Sequence, residues 1–273
     1  MRCMDATPAA HLVGRVSAVL RALSTVNEAG AGTAVLAKAT GLPRPTVHRL
    51  LVSLAEEGFV DRDRRSGHWF LGPELYLLGG VAGTRYDITR HARESVHRLA
   101  TLTGESAFFS ARRGDETVCL LREEGDFPIR SFVLYEGARF PLGVVSAGLA
   151  VLSFLDDAEI DAHLTGRDLV GQWGQAHAPD AVRERIRQTR TDGYAVNPGL
   201  VVEGSWGMAA AVFDHAGQPA WALTLTGVET RFRPERRPEL GALLLREAHA
   251  LGRVLTSGVE TQRRPLRDAR RGK

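Results

Sequence analysis

Cysteine is nearly missing from this chain: among 273 residues only Cys3 and Cys119 carry thiols. That excludes a disulfide framework and a structural zinc set, so both thiols are expected to be reduced. Long apolar runs are missing as well. Nowhere do about 18 consecutive apolar residues occur, the length needed to satisfy a helix across hydrocarbon, so no membrane span is expected. Residues 1–14 lack the unbroken apolar stretch of a secretory signal, which predicts a cytoplasmic protein with no membrane partner. No phosphate loop or dinucleotide fingerprint is present, and no cofactor is expected. What remains is an ordinary folded composition, 44% hydrophobic and 25% charged. At about 150 residues per domain, the length predicts roughly two domains.

Net charge is only +3, but it is unevenly spread. Residues 1–85 carry 10 basic and 7 acidic side chains, residues 86–259 carry 19 and 23, and residues 260–273 carry 6 and 2. A basic first third and tail around an acidic middle point to a polyanion at one end and a different task in the centre. For Arg263, Arg264, Arg267, Arg270 and Arg271 in the tail, simple solubilisation is an equal alternative.

From Arg15 to Ala29, Val16, Val19, Leu20, Leu23 and Val26 fall at three-and-four spacing and predict a helix ended by Gly30 and Gly32. A short helix is expected from Thr33, whose hydroxyl suits a cap, to Gly41. After Gly41-Leu42-Pro43, a third helix starts near Pro45 and runs to Glu57, with Val47, Leu50, Leu51 and Leu54 inward. That leaves Arg49 and Ser53 outward, Thr46 and His48 on the flanks, and Arg44 ahead of the first turn. These donors suit phosphates and base edges, and helix–turn–helix geometry would bring them into a major groove. The rival reading is a small helical bundle with a solvated Arg49. The next segment weakens it: Phe59 to Arg62 and His68 to Leu71 flank a Gly-bearing turn and predict a hairpin. Its tip and flanks carry Arg62, Arg64, Arg65 and His68, placed as the wing of a winged helix would be.

The run from Gly41 to Leu51, then Leu54, Glu57 to Val60 and Gly67 to Gly72, resembles the winged-helix domain of IclR-type (isocitrate lyase regulator) transcription factors. Two positions depart from the family pattern. Val35 stands where an acid is usual, and Pro45 where a small polar residue is usual, so the Pro45 position is expected to change a DNA contact.

A helix from Pro73, closed by Gly79, Gly80 and Gly83, is expected as a linker, and the domain boundary falls there. From Asp87 a long amphipathic helix is marked by Ile88, Ala92, Val96, Leu99 and Leu102 and closed by Gly104. His91 and His97 on it are six apart, not at metal-pair spacing. Strands are expected at Ser106 to Ala111, Thr117 to Arg122 and Arg130 to Tyr135, then at Met208 to Phe213 and Ala220 to Thr226. Helices are expected at Gly148 to Leu155, Asp157 to Leu164, Pro179 to Thr191 and Pro234 to Leu255. Blocks of strands and helices without strict alternation argue an α+β domain with a mostly antiparallel sheet.

The resemblance continues to about residue 257, through Gly137, Pro141-Leu142, Ala147-Gly148, Asp192 to Ala195, Gly204, Ala209-Ala210, Val212 to Asp214 and Leu223 to Gly227. It implies a GAF-like or profilin-like effector-binding domain. Departures are Leu149, Ala211 and Pro198. The resemblance places an effector pocket at Ser146, Ala147, Gly148, Asn197, Pro198, Trp206, Gly207, Thr224 and Thr226. Physical pattern supports part of this. Thr224 and Thr226, two apart on a strand, share a face, and the helix start at Ser146 favours an anion, so a carboxylate or phenol is the expected guest. Threonine is equally a common strand residue and serine a common cap, needing no ligand.

The resulting organisation is a flexible N-terminus over 1–13, a winged helix-turn-helix over 14–72, a linker helix over 73–85, an effector-binding domain over 86–257 and a basic tail over 258–273. Two rivals stand beside it. A hydrolase would use Ser146 or Ser205 with His163, His177 or His215, but neither serine sits in a Gly-x-Ser-x-Gly elbow. A winged-helix protein-interaction module or a small-molecule sensor would lack sequence-specific DNA binding. The resemblance implies instead a non-enzymatic repressor that binds a double-stranded DNA operator and answers to an organic acid or aromatic compound. A homodimer or homotetramer is expected, with Val16 to Val26 and the linker helix as pairing surfaces.

Overall fold

Residues 11–26, 29–85 and 88–268 are described by the computed structural model, and the chain divides into two units, Met1–Tyr86 and Asp87–Lys273. The expectations for residues 1–10, Cys3 among them, and for Arg270 and Arg271 lie outside the described residues, as do the side chains of Arg263, Arg264 and Arg267.

The first unit comprises α1 (Leu12–Ser24), α2 (Thr33–Thr40), α3 (Arg44–Glu56), the strands β1 (Val60–Arg62) and β2 (Trp69–Leu71), and α4 (Pro73–Arg85). Val19 and Leu23 of α1, Leu36 of α2 and the α3 stripe Val47, Leu50, Leu51 and Leu54 are all buried. With Val60 and Trp69 they form one core under the hairpin. Gly41 adopts φ +67, the left-handed cap that ends α2 and turns the chain into α3.

Three expectations change here. Helix α1 stops at Ser24, short of Ala29, because the hydroxyls of Ser24 and Thr25 donate to the carbonyls of Arg21 and Ala22 and close the last turn. Thr33 does not cap α2. Its Oγ1 accepts the indole N–H of Trp69 at 3.1 Å, and Gly32 occupies the cap position. Helix α4 runs through Gly79, Gly80 and Gly83, whose φ values are not positive. Glycine weakens a helix by about 1 kcal/mol but ends one only when it turns left-handed. The stripe expected for subunit pairing is also partly spent: Val19 and Leu23 are buried, and exposed apolar side chains remain at Leu12, Val13, Tyr76, Leu77 and Val81.

The second unit is built on a six-stranded antiparallel sheet of order β5-β4-β3-β8-β7-β6. The strands are β3 (Ser106–Arg113), β4 (Glu116–Glu123), β5 (Arg139–Pro141), β6 (Ala195–Pro198), β7 (Ser205–Phe213) and β8 (Pro219–Val228). Its helices are α5 (Ile88–Thr103), α6 (Ser146–Ser153), α7 (Asp157–Gly166), α8 (Leu169–Trp173), α9 (Pro179–Asp192) and α10 (Arg237–Asp268). Strand alternation sorts the two faces. Met208, Ala210, Val212, Leu223 and Leu225 pack with residues of α5 and α10. Ala209, Ala211 and Ala222 point the other way, into a cluster with α6 and α9. These alanines leave room for α6 to lie close to the sheet, and all eight of its residues are buried.

Corrections in this unit follow from pairing and turn geometry. Residues 130–135 are not a strand, since the edge of β4 is instead paired with β5 and bonded through Cys119 to Gly137 and Ala138. Within that irregular segment Phe132 is 75% exposed. Leu102 of α5 is exposed, and the inward stripe closes instead on Leu99, Ala100 and Thr103. Strand β6 and helix α8 are additions to the expected elements. Helix α10 starts at Arg237, after a turn closed on the Arg233 carbonyl, and extends past Leu255 to Asp268. Among the described residues no helix is long and apolar enough to cross a membrane.

Candidate DNA-reading face and a cavity beside the sheet

On α3 the inward stripe turns the remaining side chains outward. Arg44, Pro45, His48, Arg49 and Ser53 are exposed, and Thr46 is half-buried. Beyond the helix, the hairpin tip is shaped by Asp63, whose Oδ1 accepts from the Arg65 and Ser66 amides and from the Ser66 hydroxyl at 2.8 Å. The Ser66 amide above all holds the Asp63 carboxyl below the usual carboxylate range. This side-chain turn leaves Arg64 and Arg65 projecting at the tip, both exposed.

The other two wing residues are tied down. The Arg62 guanidinium lies over Trp69, 5.2 Å from the ring centroid, and its Nε donates to the Gly67 carbonyl. His68 Nδ1 lies 3.2 Å from the Ala29 carbonyl. His48 meets the same Trp69 edge-on at 6.4 Å. Among the described ion pairs none involves Arg44, Arg49, Arg62, Arg64 or Arg65; Arg62 is engaged by Trp69 and Gly67, while Arg44, Arg49, Arg64 and Arg65 stand exposed to an external anion.

In the second unit, a cavity of about 370 Å³, counting the space at its mouth, opens beside the first turn of α6. Ser146 and Ala147 form one wall, and Thr224, Thr226, Trp206 and Gly207 form the sheet side. Thr224 and Thr226 lie on the face of β8 that carries Ala222, towards α6, as strand alternation requires. Both are buried, and neither Oγ1 has a hydrogen-bond partner. Gly207 makes space here: a Cβ on it would come within 2.9 Å of Ser146 Oγ. No charged side chain lines the cavity.

Asn197 reaches the cavity wall but is committed to structure. Its amide donates to the Val144 carbonyl at 2.7 Å, and its oxygen accepts the Leu200 amide. Gly148 and Pro198 do not line the cavity. Gly148 is packed against the Leu142 backbone, where a Cβ would be 3.1 Å from Cα, and Pro198 is exposed at the end of β6. Sequence reasoning misses six wall residues: Ser131, Val133, Leu134, Val145, Val201 and Ser205. Only Ser205 carries a signal, being two residues before Gly207 on the same face of β7. Its hydroxyl pairs with that of Ser131 at 2.5 Å, joining β7 to the irregular segment before β5.

Among the described residues, none of the candidate histidines pairs with Ser146 or Ser205. His163 Nε2 points at the Leu142 carbonyl, and His177 lies between the carbonyls of Trp173 and Val144. Burial holds His177 below the usual histidine range, and Arg185 adds to this. His215 is exposed in the turn after β7. Burial pushes the Cys119 thiol up to about 12, which leaves it protonated and unreactive.

Residues 12–64 match the IclR helix-turn-helix domain, and residues 81–253 match the bacterial transcriptional regulator IclR C-terminal domain. This chain belongs to the IclR family. It is a helix-turn-helix transcriptional regulator of that family, not an enzyme. The HTH-type transcriptional regulator KipR of Bacillus subtilis is 30% identical over 75% of this chain and 82% of its own. The transcriptional repressor IclR of Escherichia coli is 25% identical over 88% and 89%. A solved IclR homolog from Microbacterium hydrocarbonoxydans, complexed with 4-hydroxybenzoate, shares the fold at TM-score 0.70 with 19% identity, over 89% of this chain and 99% of that one.

Proposed function

We propose that this IclR-family regulator is a cytoplasmic repressor whose hold on a double-stranded operator is set by a small organic acid in the cavity beside α6. The observation that carries the reading is the pair of buried, unpartnered hydroxyls of Thr224 and Thr226 facing a cavity with no charge of its own. A buried hydroxyl without a partner costs about 1 to 3 kcal/mol, so two of them on one wall favour a guest that accepts hydrogen bonds. A carboxylate or a phenol oxygen does so, and the first-turn amides of α6 add donors and the positive end of the helix dipole. The 4-hydroxybenzoate of the solved homolog has both groups on one ring.

Operator contact is assigned to α3 through Arg44, Pro45, Thr46, His48, Arg49 and Ser53, and to the wing through Arg62, Arg64, Arg65 and His68. Arg62 and His68 act mainly by bracing the wing. A single winged helix reads few base pairs, so a homodimer or homotetramer is part of the proposal, paired through the exposed apolar side chains of α1 and α4. The test is an operator titration with and without 4-hydroxybenzoate, on the native chain and on a Thr224→Val/Thr226→Val variant. The native chain is expected to change its operator affinity with the acid and the variant to lose that change. A response that survives in the variant overturns the cavity assignment.

A further inference from the structure

Trp206 follows Ser205 on β7, so its side chain lies on the Met208 face, packed with the α5 and α10 cluster, and there it walls an open cleft of about 550 Å³, measured with its mouth. Between residues 231 and 237 the sequence holds four arginines: Arg231, Arg233, Arg236 and Arg237. Two are consumed by one buried carboxylate. Arg231 Nε and Arg236 Nη1 donate to Glu105 Oε1 at 2.7 and 2.6 Å, and Glu105 is 1% exposed.

The other two line the cleft with Trp206, Phe232 and Pro234. Each is fixed by its Nε to nearby backbone, Arg233 to the Thr230 carbonyl and Arg237 to the Phe232 carbonyl, both at 2.8 Å. Arg237 also stacks over the Trp206 ring at 4.6 Å. Neither takes part in an ion pair among the described residues, although Glu229 lines the same cleft. The result is two preset guanidiniums whose terminal amino groups remain open, set against the Trp206 indole and the Pro234 ring, with Phe232 fully buried behind them.

We propose that this cleft is a second ligand site, taking a small organic carboxylate with a flat apolar body. A guanidinium presents parallel donors that match a carboxylate, and locking its Nε beforehand reduces the entropy lost on binding. The apolar walls add contact for a ring or chain that a free inorganic anion would not use. The site does not depend on the assignment of the cavity beside α6 as an effector site.

The test uses the full chain with benzoate and 4-bromobenzoate as probes. Crystals soaked in 4-bromobenzoate are expected to show anomalous bromine density beside Trp206, with the carboxylate on Arg233 and Arg237. In solution, calorimetric titration of benzoate is expected to show a binding event that persists in Thr224→Val/Thr226→Val and weakens about tenfold in Arg237→Gln. Arg233→Gln should act likewise, and since the Arg233 side chain is exposed and, among the described residues, is bonded to the Thr230 carbonyl alone, it separates ligand loss from misfolding. Bromine density confined to the cavity beside α6, unchanged benzoate affinity in both arginine variants, or equal affinity for inorganic phosphate would each overturn the proposal.

Discussion

Helix α3 and strand β8 are both split between a core face and a working face, but they hold their working groups under opposite conditions. On α3 the outward arginines, His48 and Ser53 stand in water, where a polar side chain costs the fold nothing. On β8 the hydroxyls of Thr224 and Thr226 are buried and unpartnered, two residues among Leu223, Leu225 and Ala222 that carry no polar group at all. An exposed basic face is therefore consistent with binding without demanding it. A buried hydroxyl with nothing to bond to is a standing cost, and that makes β8 the more informative of the two.

The largest effect is expected on the core face of β8. Leu223→Ala, at a fully buried position, should destabilise the second unit by about 2 to 5 kcal/mol in denaturant titration. If it costs no more than a surface change, the division of β8 into two faces is wrong. Next comes α3: Arg49→Ala should weaken specific operator binding by about 1 to 3 kcal/mol and leave thermal stability unchanged. Equal titration curves for both proteins would return Arg49 to a solvated surface.

Thr226→Val makes the sharpest contrast. Replacing an unsatisfied hydroxyl by a methyl of similar shape should leave stability unchanged or raise it by up to about 1 kcal/mol while the response to organic acid is lost. A clear loss of stability would mean that the hydroxyl is part of the core after all. The smallest effect belongs to the hairpin tip. Changing Arg64 and Arg65 to Gln should reduce the salt slope of operator binding by about 0.9 for each phosphate contact removed. An identical slope would show a tip that never meets the duplex.

The parts legible in the sequence are those with a strong period. The α3 stripe, the antiparallel sheet and the shared face of Thr224 and Thr226 all follow from repeats of 3.6 or 2. Residues 130–135 mislead because Phe132, Val133 and Tyr135 have the composition of a strand, while pairing of the neighbouring edge is settled by residues further on, at β5. Gly79, Gly80 and Gly83 mislead because a glycine's effect depends on its φ, which composition does not reveal. The cavity is half legible. Ser131 reaches it through a contact with Ser205, 74 positions away, and no local pattern announces a meeting of that kind.

Helix α6 has no residue at the surface, and the Val144 carbonyl just before it is held by both Asn197 and His177. A rod clamped at its head and walled along its length has no slack to absorb a push locally. Any displacement at its first turn must be passed on as movement of the whole rod against α9 and the sheet, in discrete steps set by how side chains interlock. The tight packing that makes this region stable is also what would let a molecule of a few atoms move something much larger than itself.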